Sequence, residues 1–129
     1  MKIKLMFSLV VIILLLGSCK KDKAEIPVSL AGKWNVENVT TKDYDNGIMT
    51  ADTEPGNGAT FYFQDNGNVL VTSAGVIQSF PYAVKTDSKV VINNDTLEIR
   101  NLTATNVTLF SREDFAPGKY EEIFINLER

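Results

Sequence analysis

The sequence predicts an all-β protein: a small, eight-stranded antiparallel up-and-down barrel, preceded by a signal helix and a flexible tether. Three observations predict it. No long window carries a helical apolar stripe. Short runs rich in Val, Ile, Thr, Phe and Tyr alternate with turns of Asn, Asp, Gly and Pro, which is how half-buried strands read. Eight such runs follow one another, and a row of strands with turns this short leaves two unpaired edges unless it closes on itself.

The chain divides into three parts. Residues 1–18 begin Met1-Lys2-Ile3-Lys4 and continue as an apolar stretch from Leu5 to Gly17. Charge, a greasy segment of about a dozen residues and small residues at its end are the three regions of an export signal. The stretch is shorter than the roughly 20 apolar residues of a bilayer-spanning helix. Residues 19–29 hold the chain's one cysteine, Cys19, and a polar tether with Pro27 near its end. Residues 30–129 are the expected barrel domain.

Along that domain the first run, "GKWNVENVTT", puts Trp34 and Val36 on one face, and a bulge near Asn38 would add Val39 to it. "ATFYFQ" sets Phe61 and Phe63 on one side, and Asp65-Asn66-Gly67 makes a hairpin turn, because Asn and Gly tolerate positive φ. "NVLVTS" aligns Val69 with Val71. "GVIQSFPYAVK" aligns Phe80, Tyr82 and Val84; Pro81 cannot donate to a ladder, so it marks a bulge or an unpaired edge. "KVVIN" aligns Val90 and Ile92, and Asn93-Asn94-Asp95 turns the chain into "TLEIRNL", with Leu97 and Ile99 together. "NVTLFS" aligns Val107 and Leu109. After Ala116-Pro117-Gly118, "YEEIFINLER" aligns Ile123, Ile125 and Leu127. Residues 41–58 are expected to form a long polar loop between the first and second strands, and loops of that length are commonly functional or disordered.

Composition excludes several functions. The chain has 13 basic and 16 acidic residues and a formal charge of −3; its first 18 residues hold two bases, Lys2 and Lys4, and no acid, so residues 19–129 carry −5. No basic patch suggests nucleic acid. There is no histidine, which removes the commonest general base and zinc ligand. Asp43, Asp45, Asn46-Gly47 and Glu54 partly match a calcium loop, but the glycine falls one residue early and no helices flank it, so a solvated loop and no metal are expected. Glu121 and Glu122 are adjacent on a strand and point to opposite faces, so they do not share a site. Asn38, Asn94, Asn101 and Asn106 each begin Asn-x-Thr, and Asp95-Thr96-Leu97 resembles an O-glycosylation motif of Bacteroidota; turns entering strands account for both. No cofactor and no enzymatic activity are expected.

Two stretches resemble known families. Leu16-Gly17-Ser18-Cys19 resembles the lipobox of bacterial lipoproteins. The resemblance implies cleavage before Cys19, a diacylglyceryl thioether on its sulfur and usually an N-acyl chain. Two or three chains anchor stably where one does not. Lys20-Lys21-Asp22-Lys23 would lie against headgroups, and the run resembles tails of Bacteroidota lipoproteins. The expected location is the outer membrane, on its periplasmic face or at the cell surface. "LAGKWNV" ahead of a β meander resembles the start of a lipocalin, of the short lipoprotein type found in Bacteroidota. In the wider calycin group the tryptophan closes one barrel end under an arginine from the last strand. The resemblance thus assigns closure to Gly32, Trp34 and Arg129, and hangs the first loop over the mouth. The chain is shorter than a typical lipocalin and shows no C-terminal helix.

With Trp34 inward, period two puts Phe61, Phe63, Phe80, Tyr82, Ile123 and Ile125 on the interior as candidate calyx lining. The resemblance then implies a lipid-anchored envelope protein that binds or sequesters a small hydrophobic ligand. The alternative is a solid barrel acting through its surface and first loop as an accessory or scaffold subunit for other envelope proteins. Expected partners are the membrane, through lipid on Cys19, and the small ligand or envelope proteins.

Overall fold

In a computed structural model, the described residues, 29–86 and 88–129, form nine strands and no helix. They are β1 (Gly32–Asp45), β2 (Ile48–Pro55), β3 (Thr60–Phe63), β4 (Asn68–Ser73), β5 (Val76–Thr86), β6 (Lys89–Ile92), β7 (Asp95–Arg100), β8 (Asn106–Ala116) and β9 (Lys119–Glu128). All neighbouring pairs are antiparallel, in the order β2-β1-β3-β4-β5-β6-β7-β8-β9, and β1 also pairs with β9. That last pairing closes β1 and β3 to β9 into an eight-stranded barrel, with β2 as one additional strand. The expected signal segment, Cys19 and most of the tether lie outside the described residues.

The alternation sets which side chains turn inward. Trp34 pairs with Phe61, Phe63 with Val69, Val90 with Leu97 and Ile99 with Leu109. The most deeply buried side chains are Trp34, Phe63, Val69, Val90, Leu109 and Leu127. The core is therefore concentrated at one end of the barrel. No buried polar side-chain atom there lacks a partner.

The bulge expected near Asn38 is present: the register between β1 and β9 shifts between Val36 and Asn38, and Val39 then faces Ile125. The shift also marks where β1 changes neighbours. Before it, β1 pairs with β3; after it, with β2. The link between β2 and β3 fills the gap: Gly56 N–H donates to Glu37 O at 3.1 Å, and Val36 N–H donates to Ala59 O at 2.9 Å. A Cβ on Gly56 would stand 1.8 Å from Val36 O, so only glycine fits there.

Pro81 sits where β5 passes from β4, ending at Asn68–Pro81, to β6, beginning at Tyr82–Ile92. Its carbonyl accepts from Asn93 N–H, one residue beyond the end of β6. At this handover the missing donor interrupts no ladder.

One expectation is corrected. Residues 41–58 are not a loop. β1 runs on to Asp45, and β2 returns beside it in register from Asp45–Ile48 to Asn38–Pro55. The turn between them is Asn46-Gly47, both at positive φ (51° and 85°), as a tight two-residue hairpin requires. β8 and β9 are lengthened to match, so β2, β1, β9 and β8 extend one wall of the barrel as a four-stranded antiparallel flap. Its two turns are joined by Asn46 N–H donating to Gly118 O at 2.9 Å.

Candidate functional site

The barrel has one sealed pole and one open pole. At the sealed pole Trp34 is completely buried, and its Nε1–H donates to Leu30 O at 2.8 Å. Arg129 lies over the indole with its guanidinium carbon 3.9 Å from the ring centroid. The same guanidinium group donates to the carbonyls of Ala104, Ala31 and Ser29 at 2.9, 2.7 and 3.2 Å. A Cβ on Gly32 would meet Arg129 Nη1 at 3.2 Å. Gly32, Trp34 and Arg129 thus meet at one end, where the Arg129 side chain bridges two backbone segments, residues 29–31 and residue 104.

At the opposite pole the inward-facing residues surround a space. β3, β4 and β5 supply Phe61, Val71 and Phe80, β6 supplies Ile92, and β9 supplies Ile123 and Ile125. Together they line an open-mouthed cavity of about 660 Å³. A second lobe of about 420 Å³ shares Phe61, Val71, Ile123 and Ile125 and continues past Val39 to Glu54 and Pro55. These volumes lie in the range of small-molecule sites, roughly 300–1,000 Å³.

Of the six candidate lining residues, four stand together in this cavity: Phe61, Phe80, Ile123 and Ile125. Phe63 and Tyr82 do not line it. Phe63 is 1% exposed in the core, and Tyr82 meets it edge-on with ring centroids 5.1 Å apart. The Tyr82 hydroxyl donates to Gln64 O at 2.7 Å, and burial raises its pKa above the ordinary value of 10.0, aided by the charge of Asp65. Both residues face inward as period two requires, but lower in the barrel. Tyr82 borders a different space, near Leu30 and Ile99.

The mouth is polar, and its charge is uneven. Asp95, Ser111 and Glu113 border the larger lobe and Glu54 the smaller. Beyond them Asp43, Glu121 and Glu113 form a row on adjacent strands β1, β9 and β8, each opposite the next. Directly opposed like charges on a sheet repel. The Glu121 carboxyl titrates above its ordinary value of 4.5, chiefly through a hydrogen bond with Asp43, then through desolvation and the charges of Asp43 and Glu113.

Three nearby cations, Arg112, Arg100 and Lys42, are turned to the outer face. Arg112 lies 3.8 Å over the Tyr120 ring and pairs with Asp114 at 3.0 Å. Arg100 lies 3.6 Å over Phe110, and Lys42 5.0 Å over Phe124. Phe110 and Phe124 meet with centroids 5.0 Å apart, and Tyr44 stacks on Tyr120 at 4.3 Å. Further down the same face, Thr108 donates to Asn126, which donates to Asn38. On the inner face Lys119 stands 4.0 Å from Asp45, near the flap tip. Sequence reasoning missed this inner and outer division of charge, because it arises from the register of strands about 80 residues apart in sequence.

Among the described residues no three His, Cys, Asp or Glu side chains stand close enough to hold a metal ion. No helix among them is long and apolar enough to cross a membrane. No family model matches the chain, and no curated protein or solved structure matches it.

Proposed function

We propose that this protein is a lipid-anchored, lipocalin-like carrier of the bacterial cell envelope that holds a small hydrophobic ligand in the open pole of its barrel and performs no chemistry on it. The observation that carries this reading is the cavity: an apolar floor of Phe61, Val71, Phe80, Ile92, Ile123 and Ile125 with one open side. Apolar surface left in contact with water in a concave site is the physical basis of hydrophobic ligand binding. The arginine packed on the tryptophan supports the lipocalin-like part, and the lipobox-like Leu16-Gly17-Ser18-Cys19 supports the anchored part. Residue 29 lies at the sealed pole, under Arg129, so a lipid on Cys19 would hold the molecule by the end opposite its mouth.

The test is a titration of the domain from residue 24 onward with N-phenyl-1-naphthylamine, whose fluorescence rises in apolar surroundings. The expected result is saturable binding that lipids displace. No saturable binding overturns the carrier reading.

A second reading has its own support. The flap tip exposes Ile48 (71%) and Phe115 (60%), and β2 leaves an unpaired edge. A barrel that binds no dye but specifically co-purifies other envelope proteins is an accessory or scaffold subunit acting through this flap.

A further inference from the structure

The carrier reading leaves the charge of the ligand open, and the cavity walls bear on it. Its floor is apolar, so any occupant buries hydrocarbon there. The walls add three carboxylates from three different strands: Asp95 on β7 and Glu113 on β8 at the larger lobe, and Glu54 on β2 at the smaller. Among the described residues, Arg112 is the only basic one bordering either lobe, and its guanidinium is committed to Tyr120 and Asp114 on the outer face. A polar head placed above the apolar floor therefore meets the carboxylates of Glu54, Asp95 and Glu113, while the inner-face cation Lys119 lies out at the flap tip beside Asp45. Asp43 and Glu121 extend the same field outward along the flap.

Resting on the carrier reading, we infer that the ligand is a cationic amphiphile: an apolar chain or ring system carrying an amine or other positively charged head. The chain occupies the space between Phe61, Phe80 and Ile125, and the head sits at the rim among Glu54, Asp95 and Glu113. A fatty acid of equal length gains the same burial from its chain, but its carboxylate enters a site already rich in carboxylates. Juxtaposed like charges suppress the wrong partner. The apolar cavity makes the site, and the rim selects among the molecules that fit it.

The test compares decylamine, decanol and decanoate as competitors of N-phenyl-1-naphthylamine at pH 7 and low salt. It uses residues 19–129 with Cys19→Ser, which contain the whole closed barrel. Decylamine should displace the dye at a concentration at least about tenfold lower than decanoate, with decanol between them. The advantage should shrink in 1 M salt, where the screening length falls to about 3 Å. Glu113→Gln combined with Asp95→Asn should reduce the advantage to below about threefold and leave decanol unchanged. If that pair fails to melt cooperatively, Glu54→Gln serves in its place. Decanoate competing as well as decylamine, or an advantage that survives the substitutions, overturns the inference and leaves the carrier reading standing. Failure of all three competitors and the dye overturns both.

Discussion

The guanidinium of Arg129 lies 3.9 Å over the indole of Trp34 and is held there by three backbone carbonyls. Two residues at opposite ends of the domain thereby seal one pole. Trp34→Ala should destabilise the fold by ~3–5 kcal/mol, as expected when a large core aromatic is removed. Arg129→Ala should cost less, since a cation–π contact contributes ~0.5–2 kcal/mol. Urea denaturation of both variants checks the order; a near-neutral Trp34→Ala would mean that the indole does not hold the pole.

The bulge of β1 depends on a glycine. Gly56→Ala would drive a methyl into Val36 O, 1.8 Å from the ideal Cβ position, and β1 must move to admit it. Overpacking of this kind costs ~1–3 kcal/mol. Gly58, unlike Gly56, has positive φ but open space around its Cβ, so Gly58→Ala carries only backbone strain of ~1–2 kcal/mol. Thermal melts should rank Gly56→Ala as the less stable of the two.

The row Asp43–Glu121–Glu113 makes stability depend on pH. The folded state holds the Glu121 proton more tightly than the unfolded chain does. That contribution is complete at low pH and is lost as pH rises above the ordinary carboxyl value of 4.5 towards the raised one. Glu121→Gln removes the repelling charge. Its melting temperature should exceed that of the parent at pH 7, and the gain should vanish near pH 4. Equal melting temperatures at pH 7 would show that the row carries no strain.

Filling the cavity separates binding from stability. Ile125 lines both lobes, and Ile125→Trp should abolish saturable dye binding while the circular dichroism spectrum stays β-rich. Undiminished dye affinity would place the dye elsewhere on the molecule.

Anchoring is tested in cells. Cys19→Ser should move the protein from the membrane fraction to the soluble fraction after detergent-free washing. Retention on the membrane would remove Cys19 as the point of attachment.

Much of the barrel is visible in the primary structure because its strands are half buried. Phe61 with Phe63, Val69 with Val71 and Ile123 with Ile125 alternate as a pleat demands. The bulge that carries Val39 inward is readable from the broken alternation after Val36. The flap is not readable this way. Both of its faces meet water, so Thr40 to Asp45 and Ile48 to Pro55 show no apolar alternation. Asn46-Gly47, a hairpin signal, reads there as part of a calcium-like loop. Period two correctly turns Phe63 and Tyr82 inward but says nothing of depth, because height along the barrel depends on strand tilt and stagger. The acidic mouth is hidden for a related reason. Asp43 and Glu121 become neighbours only through long-range pairing.

The pairing of Asn35 with Glu128 has a consequence for how the molecule is made. Its seam joins β1 to β9, so the ring cannot shut until β9 is free to dock. Such non-local contacts slow folding towards the millisecond-to-second range. A chain emerging amino end first would keep two adhesive borders exposed until β9 appears, and deleting β9 would leave them bare permanently. Completion thus waits for β9, and a polypeptide still lacking that strand is the species most prone to aggregate or to need a chaperone.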